Sequence, residues 1–373
     1  MVPVSLSDPA VDDLPGIIRH HIAQHGGWLP FDRFMAIALY EPGLGYYANA
    51  RAKFGQLAKD GSDFVTAPEL TPLFGQTLAR QVAQALAASG TDEVWEFGAG
   101  TGALALQVIE ALDALGQPLR RYTIVDLSGS LRERQRATLG AHAERVHWAD
   151  ALPDTLHGVV LGNEVLDAMP VRLLARVGGV WHERGVALDA AGALAWADRA
   201  TEARPPLEVD GEHDYVTEIH PQGEAFVRTL ADRLQRGAAF LLDYGFPEAE
   251  YYHPQRAMGT LICHRQHRSD SDPLSDLGEK DITAHVNFTG IALAAQDAGL
   301  DVLGYTSQGR FLINCGLLDV AQHADVRQNA MMQKLVNEHE MGELFKVIAL
   351  APAGTGAAWL PLGFAAGDRT HRL

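Results

Sequence analysis

Between residues 93 and 163 the apolar positions come in short runs that alternate with stretches at helical spacing. Glu93–Phe97 predicts a short buried strand, and Ala103–Leu115 an amphipathic helix closed by Gly116. Tyr122–Leu127 predicts a second strand, Ser130–Leu139 a charged surface helix and Val146–Ala149 a third strand. Val159–Gly162 is apolar throughout, as a central parallel strand requires. This rhythm predicts βαβ units around a parallel sheet. Upstream, Leu70, Leu73, Phe74, Leu78 and Val82 fall at helical spacing, with Gly90 placed to end the helix.

After residue 170 the rhythm breaks. Val171–Val177 and Val180–Leu188 flank Gly178-Gly179, a hairpin signal, and the Ala-rich stretch Ala190–His213 reads as loop or edge. Glu224–Leu234 returns to helix and Ala238–Asp243 to strand. Thr289–Ala298 is a helix, and Val302–Tyr305 and Leu344–Leu350 complete seven strands, the last two able to pair antiparallel. The expected fold class is α/β, with a doubly wound, mostly parallel seven-stranded sheet. The expected organisation is a helical region, 14–90, packing on a core of 91–350, followed by a tail of 351–373. Insertions are expected at about 171–235, 246–285 and 306–343.

The formal net charge of −17 argues against sequence-independent binding to nucleic acid or anionic membrane, since phosphate neutralisation needs clustered Lys and Arg. No apolar run approaches the length of a transmembrane helix, and the opening MVPVSLSDPAVDD resembles neither a signal nor a transit peptide. The cytoplasm is therefore the expected compartment. Cys263 and Cys315 stand in separate segments, outside any CxxC pair. The cluster Cys263, His264 and His267 lacks a second set of ligands, so no metal is expected.

The central chemical signal is Glu96-Phe-Gly98-Ala-Gly100-Thr-Gly102, directly after a strand and directly before a helix. Glycines there let the backbone approach a ligand, and the helix start presents free N–H groups. The spacing is G-x-G-x-G, not the G-x-G-x-x-G of dinucleotide folds, and no Gly-Lys-Ser/Thr follows to make a phosphate loop. Glu96 suits a cationic ligand better than pyrophosphate; S-adenosylmethionine (SAM) carries an ammonium and a sulfonium.

Asp126 ends the second strand, where a carboxylate accepts hydrogen bonds from both ribose hydroxyls; the alternative is a helix cap, for which Ser128 competes. Asp150 follows the third strand and could reach an adenine amine or lie in a solvated loop. The fourth strand leads into Gly162-Asn163-Glu164-Val-Leu-Asp167-Ala-Met-Pro170. An Asn and two acids are costly to bury unpaired, which marks Asn163, Glu164 and Asp167 as candidate catalytic residues; the alternative is that they cap the turn.

Together Glu96–Gly102, Asp126 and Gly162–Pro170 resemble a class I SAM-dependent methyltransferase. Further segments resemble one family: Tyr40-Glu-Pro-Gly-Leu-Gly-Tyr-Tyr47, Asp63-Phe-Val-Thr-Ala-Pro-Glu-Leu-Thr-Pro-Leu-Phe-Gly75, Leu242-Asp-Tyr-Gly245, Asp281-Ile-Thr-Ala-His-Val-Asn-Phe-Thr289 and Met341-Gly-Glu-Leu-Phe-Lys-Val347. They are similar to the MidA-type methyltransferases, bacterial cousins of the mitochondrial enzyme that helps assemble respiratory complex I. The resemblance runs from about residue 14 to 350, with Ala99 and Thr101 where the family usually has Pro and Arg, and Asp126 where Glu is common.

The resemblance implies SAM as cofactor, held by Glu96, Gly98, Gly100, Gly102, Asp126 with Leu127, Asp150 with Ala151, and Glu69. It implies methyl transfer onto a protein, with arginine the acceptor in the mitochondrial relative and a complex I subunit a candidate substrate. Glu164 and Asp167 would hold the guanidinium. A small-molecule methyltransferase and a SAM-binding assembly factor without catalysis remain alternatives. The insertions would suit a protein partner, and a homodimer interface would look the same.

Overall fold

A computed structural model describes residues 13–49, 65–126, 129–355 and 359–373. These divide into two compact units, one built around 65–169, 220–251 and 285–373, the other around 13–49, 170–219 and 252–284.

The larger unit carries the sheet. Its elements, in chain order, are α1 (Leu73–Ser89), β1 (Glu93–Phe97), α2 (Ala103–Ala114), β2 (Arg121–Val125), α3 (Gly129–Leu139), β3 (Val146–Ala149) and β4 (Leu156–Asn163). They continue with α4 (Pro221–Arg233), β5 (Leu234–Phe246), α5 (Phe288–Asp297), β6 (Leu300–Ser307) and β7 (Phe345–Pro352). The strands lie in the order β3-β2-β1-β4-β5-β7-β6, and the short Val286–Asn287 strand pairs with β5. The β1–β2, β2–β3, β1–β4 and β4–β5 ladders are parallel; β7 runs antiparallel to both β5 and β6. The order reverses beside β1, so a crevice opens at the carboxyl ends of β1 and β4, where doubly wound folds take ligands.

Both faces of this sheet are covered, so its strands read as continuous apolar runs. On one face Val94, Val159, Leu161, Phe240, Leu242, Val347 and Ala349 pack with Phe74, Leu78 and Val82 of α1 and Val108, Ile109 and Leu112 of α2. Their alternate neighbours Trp95, Val160, Leu241 and Ile348 pack with Val227 and Leu230 of α4 and Ile291 and Ala295 of α5. The tail is docked on the same unit. Phe364 is buried, the Tyr305 N–H donates to Asp368 at 2.9 Å, and Arg369 pairs with Glu343.

The smaller unit is a five-stranded antiparallel sheet built on the expected hairpin, Arg172–Val177 with Val180–Leu188. Gly178 and Gly179 both take positive φ, 56° and 80°, as a two-residue turn matched to strand twist demands. Leu194–Ala200 pairs with Val180–Leu188, so the Ala-rich stretch contains an edge strand. Lys280 organises the 268–281 region: its buried ammonium donates to both Asp270 carboxylate oxygens at 3.0 Å, to the Asp272 carbonyl at 2.9 Å and to Ser275 at 3.0 Å.

The chain path differs from the expected segmentation in two respects. The 14–90 stretch is shared: helices Leu14–Gln24 and Phe31–Tyr40 belong to the smaller unit, α1 to the larger one. Likewise 171–235 closes with α4, a helix of the larger unit. Spacing along the chain reports a helix and its apolar face but not which of two cores receives that face.

Candidate active site

The glycine loop follows β1 and ends in α2. Gly98, Gly100 and Gly102 all take positive φ, 62°, 52° and 86°, which an L side chain adopts only at a cost. A Cβ on Gly102 would lie 3.2 Å from Cα of Gln135, and one on Gly98 3.1 Å from Cγ2 of Val165. The loop is thus a cradle whose shape depends on the absence of side chains.

Glu96, at the end of β1, is fully buried and accepts a hydrogen bond from the Tyr122 hydroxyl at 2.6 Å. Burial, with a smaller contribution from Asp126 and against the pull of the Tyr122 hydrogen bond, pushes its carboxyl up to about 7. Asp126, just past β2, is buried and accepts from the Gln135 side-chain amide at 2.9 Å. The same amide donates to the Gly100 carbonyl at 3.1 Å, while its oxygen accepts from the Trp148 indole at 2.8 Å. Gln135 therefore ties glycine loop, β2 and β3 together. Arg132 donates to the Asp126 carbonyl at 3.0 Å and pairs with the largely exposed Asp150.

The segment before α1 is fixed to α2. Gln107 donates to the Pro68 carbonyl at 2.8 Å and accepts from the Gly75 N–H at 3.0 Å. Glu69 accepts a hydrogen bond from Thr101 inside the glycine loop.

The other half of the site hangs from β5. The Glu164 N–H donates to the Leu242 carbonyl at 2.9 Å, and Glu164 itself sits at φ 55°, a strained conformation for a non-glycine residue. The buried Asp243 carboxylate accepts from the N–H groups of Val165, Leu166 and Asp167 at 3.1, 2.8 and 3.3 Å on one oxygen and from Tyr244 at 2.9 Å on the other. Burial and the nearby Glu164 push its carboxyl up to about 8, against the opposite pull of these N–H groups. Burial, then Glu164, Asp167 and Asp243, also raise the Tyr244 phenol above its ordinary value. The Asn163 amide donates to Glu164 at 3.0 Å, which points its Oδ1 away from that carboxylate; this oxygen is buried with no hydrogen-bond partner among the described residues.

A family model described as S-adenosyl-L-methionine-dependent methyltransferase matches residues 77–306. The chain belongs to this family. A crystal structure from Burkholderia thailandensis, described as a candidate methyl transferase bound to S-adenosyl-homocysteine, is 54% identical to it, covers 96% of each chain and superposes with a TM-score of 0.92. The human mitochondrial protein arginine methyltransferase NDUFAF7 is 27% identical, covering 93% of this chain and 86% of its own. Its Caenorhabditis elegans homologue is 26% identical, covering 86% of this chain and 82% of its own.

The residues of this methyltransferase fit its cofactor: a side-chain-free cradle and two buried carboxylates stand at the ends of adjacent strands. The hydrogen bonds join Glu69 to the glycine loop, the loop to Asp126, and Asp126 through Arg132 to Asp150. Asn163 ends β4 and donates to Glu164, the next residue, while Asp167 lies three residues on in the same turn with its N–H on Asp243; Ala151 is exposed. Leu127, Ser128, Asp63 and Phe64 lie outside the described residues.

Residue-by-residue reading missed Gln135 and Asp243. Gln135 sits in a helix whose charges, Arg132, Glu133, Arg134 and Arg136, read as a solvated face. Leu131, Gln135 and Leu139 are nevertheless the buried residues at i, i+4 and i+8, a spacing that marks Gln135 as inward-facing. Asp243 stood in a quoted motif, Leu242–Gly245, without a role. Its position at the carboxyl end of β5, beside β4, was the available signal.

Proposed function

We propose that this methyltransferase transfers a methyl group to an arginine side chain of a protein, with SAM at the ends of β1 and β2 and the acceptor at the end of β4. The observation that carries the acceptor side is the Asn163–Glu164–Asp167 segment: two acids, and an Asn163 amide oxygen that is buried with no hydrogen-bond partner among the described residues. A guanidinium, planar and rich in N–H donors, is complementary to that set. The names of the NDUFAF7 relatives support the same acceptor class, and a complex I subunit is the candidate substrate that the family resemblance suggests.

Bound SAM would supply an electrophilic methyl group on a sulfonium. Asp126 would accept hydrogen bonds from the ribose hydroxyls, Glu96 would face the ammonium, and Asp150 would serve the adenine amine. Glu164 would hold the guanidinium and take the proton it must lose as its nitrogen bonds carbon. Because transfer is an in-line displacement, the main task of these groups is positioning.

The test is to incubate the chain and SAM carrying a deuterated methyl group with an extract of cells lacking the chain, then to map labelled residues by mass spectrometry. Label on arginine supports the proposal. Label on a small molecule, or on another residue type, overturns the acceptor assignment.

A further inference from the structure

We propose that Asp243 is a positioning residue for methyl transfer: its buried carboxylate gathers the turn after β4 and so holds Glu164 and Asp167 in register for the acceptor. This rests on the acceptor reading given above. Four backbone N–H groups converge on this one side chain, from Val165, Leu166, Asp167 and Tyr244. Three of them come from consecutive residues of the turn and meet one carboxyl oxygen, which accepts from them whether or not the carboxyl carries a proton. The turn belongs to neither strand nor helix and would otherwise bury those amides unsatisfied, at a cost comparable to lost hydrogen bonds.

A simple end-cap would need only one or two such bonds. Here the anchor fixes a segment that begins at a left-handed Glu164, φ 55°, a conformation that persists only where its surroundings over-determine it. The Glu164 N–H to Leu242 carbonyl bond, 2.9 Å, sits directly beside the anchor, so two successive residues of β5 clamp the turn. The turn also sets the site's other wall, because Val165 faces Gly98 and Gly162. An amide at position 243 keeps the shape and replaces one acceptor oxygen with a donor, which must confront a backbone N–H.

The test compares the full-length chain with Asp243→Asn by three measurements. Amide hydrogen exchange in the parent should show Val165, Leu166 and Asp167 at least 100-fold slower than in an unfolded peptide, with that protection lost in the variant. S-adenosylhomocysteine affinity, by calorimetry, should stay within threefold. Transfer of tritiated methyl from SAM to extract protein should fall at least 30-fold. Free exchange of the three amides in the parent overturns the proposal even if the variant does not fold. So does a variant that transfers at the parental rate, or one that loses cofactor affinity in step with transfer. Parental transfer by Glu164→Gln overturns the acceptor reading and the acceptor half of this proposal. A transfer-dead Glu164→Gln together with unprotected amides in the parent overturns the role of Asp243 alone.

Discussion

The Tyr122 hydroxyl donates to the Glu96 carboxylate at 2.6 Å, one strand to its neighbour, with both side chains fully buried. A lone carboxylate in such a place would be costly to ionise, and the single phenol hydrogen bond offsets only part of that cost. Glu96 therefore stands at the mouth of the cofactor loop with its carboxyl near neutrality, at about 7.

SAM affinity should depend on pH through this group. Below about 7 Glu96 keeps its proton, so a cationic ammonium must displace it; affinity should rise as pH goes from 6 to 8, by up to about tenfold per unit below 7. Stability runs the other way. The folded-state value is raised above the ordinary 4.5, so the contribution of this group is fully present below about 4.5 and is lost as pH rises through about 7. Calorimetry across this range, with Glu96→Gln as the flat reference, checks both slopes. A parent as flat as the variant would remove the ammonium from Glu96.

Asp126→Ala should weaken SAM and S-adenosylhomocysteine alike, by about 1.5–3 kcal/mol for charged hydrogen bonds to the ribose. A change of a few tenths would leave Asp126 as no more than the partner of Gln135.

Gly102→Ala should damage the same ribose contact indirectly. At φ 86° an alanine costs about 1–2 kcal/mol, and its Cβ, 3.2 Å from Gln135 Cα, presses on the side chain that steadies Asp126. Chemical denaturation should show that loss, and cofactor affinity should fall about tenfold or more. Parental affinity would separate the loop from Asp126.

Much of the sheet is visible along the chain because β1 to β5 each contain an apolar run, with helices between β1, β2 and β3 and again before β5. The glycine loop, Asp126 and the Asn163–Asp167 cluster are visible for a related reason: each directly follows a strand, where the fold puts ligands. The hidden parts depend on long-range pairing. Asp243 meets Leu166 across 77 positions, and Gln107 grips Pro68 from 39 positions away. Neither contact leaves a local pattern. The division of 14–90 between two cores is hidden for the same reason, since an amphipathic helix does not name its partner.

The most direct test of the central claim measures SAM affinity and single-turnover methyl transfer on the same Glu164→Gln protein. The substitution removes a charge beside Asn163 and leaves the side chain's size nearly unchanged, so the cofactor loop should be undisturbed. SAM affinity should stay near that of the parent while transfer to protein arginine falls by about 10²-fold or more, on the order of 3 kcal/mol of transition-state stabilisation. Loss of affinity and transfer together would place Glu164 in the cofactor site, and loss of neither would contradict its role in holding the guanidinium.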